Sequence, residues 1–225
     1  MAEKKYRAST GISGFYYGII NDGTTAEEIH RVKFLQEISI EKEGEISEAY
    51  GDNTTAELAY SSGNTTVTSQ FHKIPLEDKR RLFGWEEQGG ITAVGSDDNP
   101  PYVAVVFYKT HEDGSREYVG LPKGMFMPPT IEGQTKEDSV EFSSEESEAR
   151  FMDRKIDGFT KNKSMLVAAV DEDDEEGLRD EIFEKLFGTD YVDVDEEEPT
   201  TTTTTEEPTT TTTEKPTTTT TTINP

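Results

Sequence analysis

The sequence predicts a mainly β domain, a sandwich or barrel carrying two helices, and three observations lead there. Segments of period-two or continuous apolar character recur from Gly11 to Val170, with clusters of Gly, Asn, Asp and Pro between them. One of them, Tyr102-Val-Ala-Val-Val-Phe-Tyr108, is apolar at every position and has the character of a central strand covered on both faces. From Asp193 the composition shifts to Glu-Glu-Glu-Pro and threonine runs broken by Glu-Glu-Pro and Glu-Lys-Pro, which cannot bury a core. The 225 residues therefore divide into one domain over residues 1–192 and a disordered, extended Thr/Pro/Glu-rich tail over residues 193–225, a spacer or a surface brush.

In chain order, alternating apolar residues predict strands at Ile12–Ile20 and Ile29–Ile40. The next stretch, Glu41 to Pro75, is the most informative. Two polar strands, Glu45–Tyr50 and Glu57–Tyr60, flank Tyr50-Gly-Asp-Asn53, a segment rich in turn formers, and a third strand, Thr65–His72, alternates into Ile74-Pro75. The polar strands carry too few apolar side chains to own a buried face, and an isolated hairpin of this kind is marginal in water. It reads as an arm, over about residues 41–62, that another subunit or a ring of subunits completes by strand pairing.

Pro75 suits the first position of a helix, and Leu76, Lys79/Arg80 and Leu82/Phe83 give it an amphipathic face that Gly84 closes. Trp85, the single tryptophan, follows as a packing residue. Strands at Tyr102–Thr110 and Ser115–Leu121 form a hairpin turned at Asp113-Gly114. Further strands are predicted at Lys123–Met127, Thr135–Ser143, Glu148–Lys155 and Met165–Val170. Between Lys136 and Phe142, Glu137, Ser139 and Glu141 share one face, which is wet and negative. A second helix spans Glu175–Phe187, with Leu178, Ile182, Phe183, Leu186 and Phe187 at three- and four-residue spacing and Gly188 as its stop. Its apolar stripe must dock on the sandwich or on a neighbour.

The formal net charge is −25; the tail from Asp193 holds eight acidic residues and one lysine, so −18 belongs to residues 1–192. Such a surface repels phosphates and argues against DNA binding by counterion release, though not against DNA passing nearby. The absence of cysteine excludes disulfides and thiolate metal sites. The N-terminal Met-Ala-Glu-Lys-Lys-Tyr-Arg has no apolar run behind its basic residues, and no window approaches the roughly 18 apolar residues of a spanning helix. A protein that stays in the cytoplasm until assembly or lysis, with no membrane partner, is expected.

Catalytic chemistry is missing wherever it is sought. His30, His72 and His111 are isolated in sequence, and there is no Gly-x-Ser-x-Gly, phosphate-cradling glycine loop or His-Glu-x-x-His pattern. The acidic run Asp171–Glu176 lacks the spaced ligands and fixed glycine of a calcium loop and instead suits a helix N-terminus, with Asp174 as cap. A non-enzymatic protein without cofactor or metal is expected.

The acidic strand, Tyr50-Gly-Asp-Asn53, Glu57, the alternating strand into Ile74-Pro75, the helix closing at Leu82-Phe83-Gly84, the Tyr102–Tyr108 strand and Pro129-Thr-Ile-Glu-Gly-Gln-Thr-Lys-Glu-Asp138 occur in that order. Together, over roughly Gly11 to Tyr191, they resemble the major tail tube proteins of long-tailed, noncontractile phages (siphoviruses) of Gram-positive bacteria. The resemblance implies two packed β-sheets flanked by a helix, six copies to a ring, and rings stacked into a tube through which DNA leaves the virion. It implies tape measure and tail completion or initiator proteins as partners, and DNA passing the lumen without specific binding. Carried onto this chain, it makes Glu45, Ile46, Glu48, Tyr50, Asp52, Asn53, Glu57, Leu58 and Tyr60 the subunit-contact arm, and Met1–Ser9 within an N-terminal arm of about ten residues a second contact. The lumen would be lined by wet strand faces such as those holding Glu41, Glu43, Glu137 and Glu141. Which pleat face points inward stays open, because a one-residue shift of register exchanges the faces. The other reading is a capsid decoration or surface adhesion module displayed on a threonine-rich stalk.

Overall fold

A computed structural model describes residues 6–20, 25–51, 54–130, 144–170 and 175–191, all within the unit Met1–Val194; the unit Asp195–Pro225 lies outside them. Ten strands and two helices follow one another along these residues: β1 (Ser9–Ile20), β2 (Ala26–Val32), β3 (Leu35–Gly51), β4 (Thr54–Phe71), α1 (Leu76–Phe83), β5 (Glu86–Gln88), β6 (Ile91–Ala93), β7 (Val103–His111), β8 (Arg116–Phe126), β9 (Glu145–Phe151), β10 (Leu166–Val170) and α2 (Glu175–Phe187). The fold is mainly β, as expected. Its layers are parts of one eight-stranded antiparallel sheet in the order β2-β1-β7-β8-β9-β4-β3, with β10 also on β8, and β5 and β6 form a separate hairpin.

Strand β8 explains how one sheet makes two layers. On the edge away from β7 its first half pairs with β10 (Leu166↔Gly120 to Val170↔Arg116), and its end pairs with β9 (Gly124↔Phe151 to Phe126↔Ala149). Pro122 falls in the gap between those two partners, where a missing N–H breaks no ladder. Two strands were expected here, broken at the proline; one continuous strand results because the proline sits where the neighbours change.

Strand β7 has both faces covered, as its composition predicts. Val103, Val105 and Phe107 join Phe15, Phe71, Phe126 and Phe151 in one core, closed at one end by Leu82 and Phe83 of α1. Ala104 and Val106 face the other way, into a second core with Tyr16, Tyr118 and Ile182, Phe183, Leu186 and Phe187 of α2. The helix lies close because Gly120 and Gly18 leave room: an added Cβ would stand 2.2 Å from Leu186 and 3.0 Å from Phe187, respectively. The fifth residue of the expected stripe, Leu178, is 37 % exposed and stays outside this core.

Several elements depart from expectation for local reasons. The predicted strand Ile29–Ile40 is broken at Phe34, whose φ of 63° turns the chain between β2 and β3. The two short polar strands and the strand after them are halves of long continuous strands, β3 and β4, because the pairing persists through bulges. The strand predicted at Glu148–Lys155 occupies Glu145–Phe151, and Arg154 beyond it pairs with Lys163 in an isolated bridge. Pro75 is the N-cap of α1, one position earlier than predicted, while Gly84 ends the helix in the left-handed region as foreseen. The β5–β6 hairpin, only three residues a side, was not foreseen. The strand predicted at Thr135–Ser143 and the cap Asp174 lie outside the described residues.

At the N-terminus, Ser9 and Gly11 pair with β7, the Ala8 carbonyl accepts from Glu112 N at 3.1 Å, and Arg7 meets Asp113 at 2.6 Å. Residues 7–11 are thus held on their own domain; residues 1–5 lie outside the described set.

Candidate functional site

The base of the β3–β4 hairpin belongs to the domain. Along β4, Thr65, Val67, Ser69 and Phe71 are buried, Ile38 and Ile40 of β3 pack on the same core, and β4 pairs with β9 from Thr65↔Phe151 to Phe71↔Glu145. Beyond Thr65 the second neighbour stops, but β3 and β4 stay paired out to Gly51↔Thr54. At 3.3 Å per residue, the segment from Lys42 to Gly51 extends about 30 Å. Residues 41–50 and 57–64 are exposed throughout.

The two faces of this arm differ. Residues directly opposite in an antiparallel pair project to the same side, so Ile46↔Tyr60 and Glu48↔Leu58 share one face, with Tyr50 two residues on and its hydroxyl bonded to Glu48. Ile46, Tyr50, Leu58 and Tyr60 are each more than 60 % exposed. The Tyr60 ring lies across Gly44, where an added Cβ would come within 2.4 Å of its hydroxyl. On β3 this face continues the even-numbered positions, those of Ile38 and Ile40, so the arm carries the core-facing side of the sheet outward past its own core. The other face holds Glu41, Glu43 and Glu45 at alternate positions, with Ser61, Ala59 and Glu57 among their partners and neighbours.

Of the predicted contact residues, Glu45, Ile46, Glu48, Tyr50, Glu57, Leu58 and Tyr60 are therefore brought together on one exposed arm. Asp52 and Asn53 lie outside the described residues, as do Glu137 and Glu141. Glu41 and Glu43 stand on the face opposite the apolar stripe. That stripe escaped the sequence reading, which counted the strands as simply polar; the period-two placement of Ile46 and Tyr50, with Leu58 and Tyr60, was the signal available.

The three histidines do not converge on a site. His30 packs on Tyr17 at 5.3 Å, and burial, followed by the Arg81 charge, holds its pKa below the ordinary value. Phe34 stands over His72, and His111 closes the β7–β8 turn through its N–H to the Ser115 carbonyl. Among the described residues no cluster of three or more His, Asp or Glu side chains is placed to hold a metal ion, and no helix is long and apolar enough to cross a membrane.

A family model described as phage tail tube protein matches residues 39–147, from early in β3 into β9 and across the whole arm. No curated protein matches the chain. With a mainly β domain that projects an exposed hairpin, and with that match covering the hairpin, the chain is similar over residues 39–147 to the phage tail tube proteins, a structural family of the virion whose members assemble into a tube.

Proposed function

We propose that the chain polymerises as stacked hexameric rings into the tail tube of a long, noncontractile phage tail, and that DNA leaves through an acidic lumen without specific contact. The observation that carries this reading is the arm: it extends the core-facing side of a sheet beyond the core, and along it β3 and β4 pair only with each other among the described residues. A ring of identical copies satisfies both features, since it supplies new strand partners and abolishes exposed edges. Residues 45–60 make the subunit contact in this reading. Glu41 and Glu43, together with Glu137 and Glu141, line the lumen, where negative charge keeps phosphates from adhering to the wall. Residues ahead of Arg7 form a second contact, and tape measure and tail initiator proteins set length and starting point.

Electron microscopy of the purified chain with its initiator proteins tests this directly, and deletion of residues 45–60 is the decisive variant. The intact chain is expected to form tubes; the deletion is expected to give a folded, soluble monomer. Normal tubes from the deletion would remove the arm from the contact. A chain that coated capsid shells and built no tubes would be a decoration protein.

A further inference from the structure

A second exposed apolar surface lies elsewhere on the domain. Between α2 and β10 runs an open groove of about 560 Å³, whose apolar lining includes Phe159, Met165, Val167 and Leu178. These four side chains are 37–53 % exposed, although Leu178 belongs to the stripe of α2 whose other four members are buried. Strand β10 pairs with β8 alone among the described residues. Lys163 and Lys185 also line it, as does Glu181, which is bridged to Lys185 at 3.3 Å.

The charge of this neighbourhood runs against the rest of the chain. The charged side chains that line the groove are Lys163, Lys185 and Glu181, two cations to one carboxylate, in a protein with 47 acidic and 22 basic residues. The arm is the reverse: Glu41, Glu43, Glu45, Glu48, Asp52 and Glu57 against Lys42 alone. Glu48 sits within the apolar stripe, opposite Leu58 and between Ile46 and Tyr50, so covering that stripe would bury a carboxylate that requires a cationic partner. The groove offers both an apolar floor and lysines beside it.

The geometry points to the groove between α2 and β10 as the receptor for the arm of a second copy, with Ile46, Leu58 and Tyr60 on Met165, Val167 and Leu178, and Glu48 meeting Lys163 or Lys185. This rests on the tube reading above and names the surface that receives the arm. The arm, exposed along its length, is not seated in its own groove, although its foot lies beside it: Lys42 Nζ donates to Ser164 Oγ at 3.1 Å. Arm and groove are different surfaces of one chain, so the contact is heterologous, and it repeats from copy to copy until a ring closes or a stack ends. Each copy then places its groove at the root of the arm that it sends onward.

The lack of any cysteine makes cross-linking unambiguous. Leu58→Cys and Val167→Cys, made as separate variants, mixed and oxidised within assembled tubes, are expected to give disulfide-linked dimers. The double variant is expected to give a ladder of multimers. Val167→Asp, at an exposed position, is expected to keep the monomer's circular dichroism and to raise the concentration needed for assembly at least tenfold. Lys163→Glu is expected to impair assembly, and Glu48→Lys in the same chain to restore it in part. Normal tubes from Val167→Asp without an intermolecular disulfide would overturn the groove assignment and leave the tube reading standing. A disulfide formed only within one chain would overturn it as well. An intact chain that builds no tubes with its initiators would overturn both.

Discussion

Glu145, the first residue of β9, ties that strand to α1. Its carboxylate accepts from Ile74 N and from Lys79 Nζ, both at 2.9 Å. Burial alone would raise its pKa, but the Lys79 hydrogen bond, the Ile74 N–H and the Lys79 and Lys73 charges together hold it below the usual carboxylate value. A lowered folded-state pKa means stability that is present above the unfolded pKa and lost as pH falls through the folded one. Glu145→Gln keeps an acceptor for Ile74 but drops the ion pair; it is expected to cost about 1 kcal/mol at neutral pH. Urea unfolding at neutral pH and below the carboxylate range checks this, because the gap between the two proteins should close in acid. Tyr17 presents a different case: its hydroxyl donates to the buried Asp78 at 2.6 Å, and burial, followed by that bond, raises its pKa. Tyr17→Phe removes that donor from a buried carboxylate and is expected to cost about 1–3 kcal/mol, measured by the shift in denaturant midpoint. Neither partnership could be read from the sequence, since Tyr17 and Asp78 are 61 positions apart and Glu145 and Lys79 are 66 apart. Phe34 was hidden for another reason: nothing in the composition of Ile29–Ile40 announces a left-handed residue. It is 73 % exposed, so Phe34→Asn sacrifices little packing and relieves the backbone; stability is expected to rise by about 1 kcal/mol, read as a higher melting temperature.

At the scale of elements, α2 and the arm show what periodicity can and cannot say. The spacing of Ile182, Phe183, Leu186 and Phe187 announced a helix with one buried side, and all four are buried against the sheet. What holds the end of that helix was not visible. Arg154 donates from Nη2 to the carbonyls of Lys185 and Leu186, at 2.9 and 3.1 Å, and burial lowers its pKa. Arg154→Met keeps the apolar stem and loses both bonds; hydrogen exchange is expected to speed up in the last turn of α2 before it does in β7. For the arm, the turn formers between two β-prone stretches made the hairpin legible, while its length depended on bulges at Lys42/Gly44 and Ala49/Tyr50 that let pairing continue. Both bulges place their extra residue on β4, and there they interrupt the alternation from which local propensity would read one continuous strand.

For the whole molecule, charge is the dominant variable. With −18 on residues 1–192, identical copies repel one another, and in the proposed assembly apolar contacts along the arm would have to overcome that repulsion. Screening weakens repulsion between exposed charges more than it weakens a partly buried ion pair. Assembly followed by light scattering is therefore expected to quicken as salt rises from low to physiological concentration. A slowing over that range would mean that attraction between exposed charges drives association.

Composition and periodicity alone determined that the domain is mainly β, that Tyr102–Tyr108 runs through its centre, that α2 is amphipathic, and that a hairpin leaves the domain between Glu41 and Ser62. Each of these follows from local pattern, where apolar spacing dictates which face must be covered. Tertiary structure decided that β8 serves two layers, that the apolar face of the arm continues the core-facing side of its sheet, and that Leu178 opens onto a groove beside Val167. Those facts depend on which strands become neighbours, and the neighbours lie tens of residues apart in the chain.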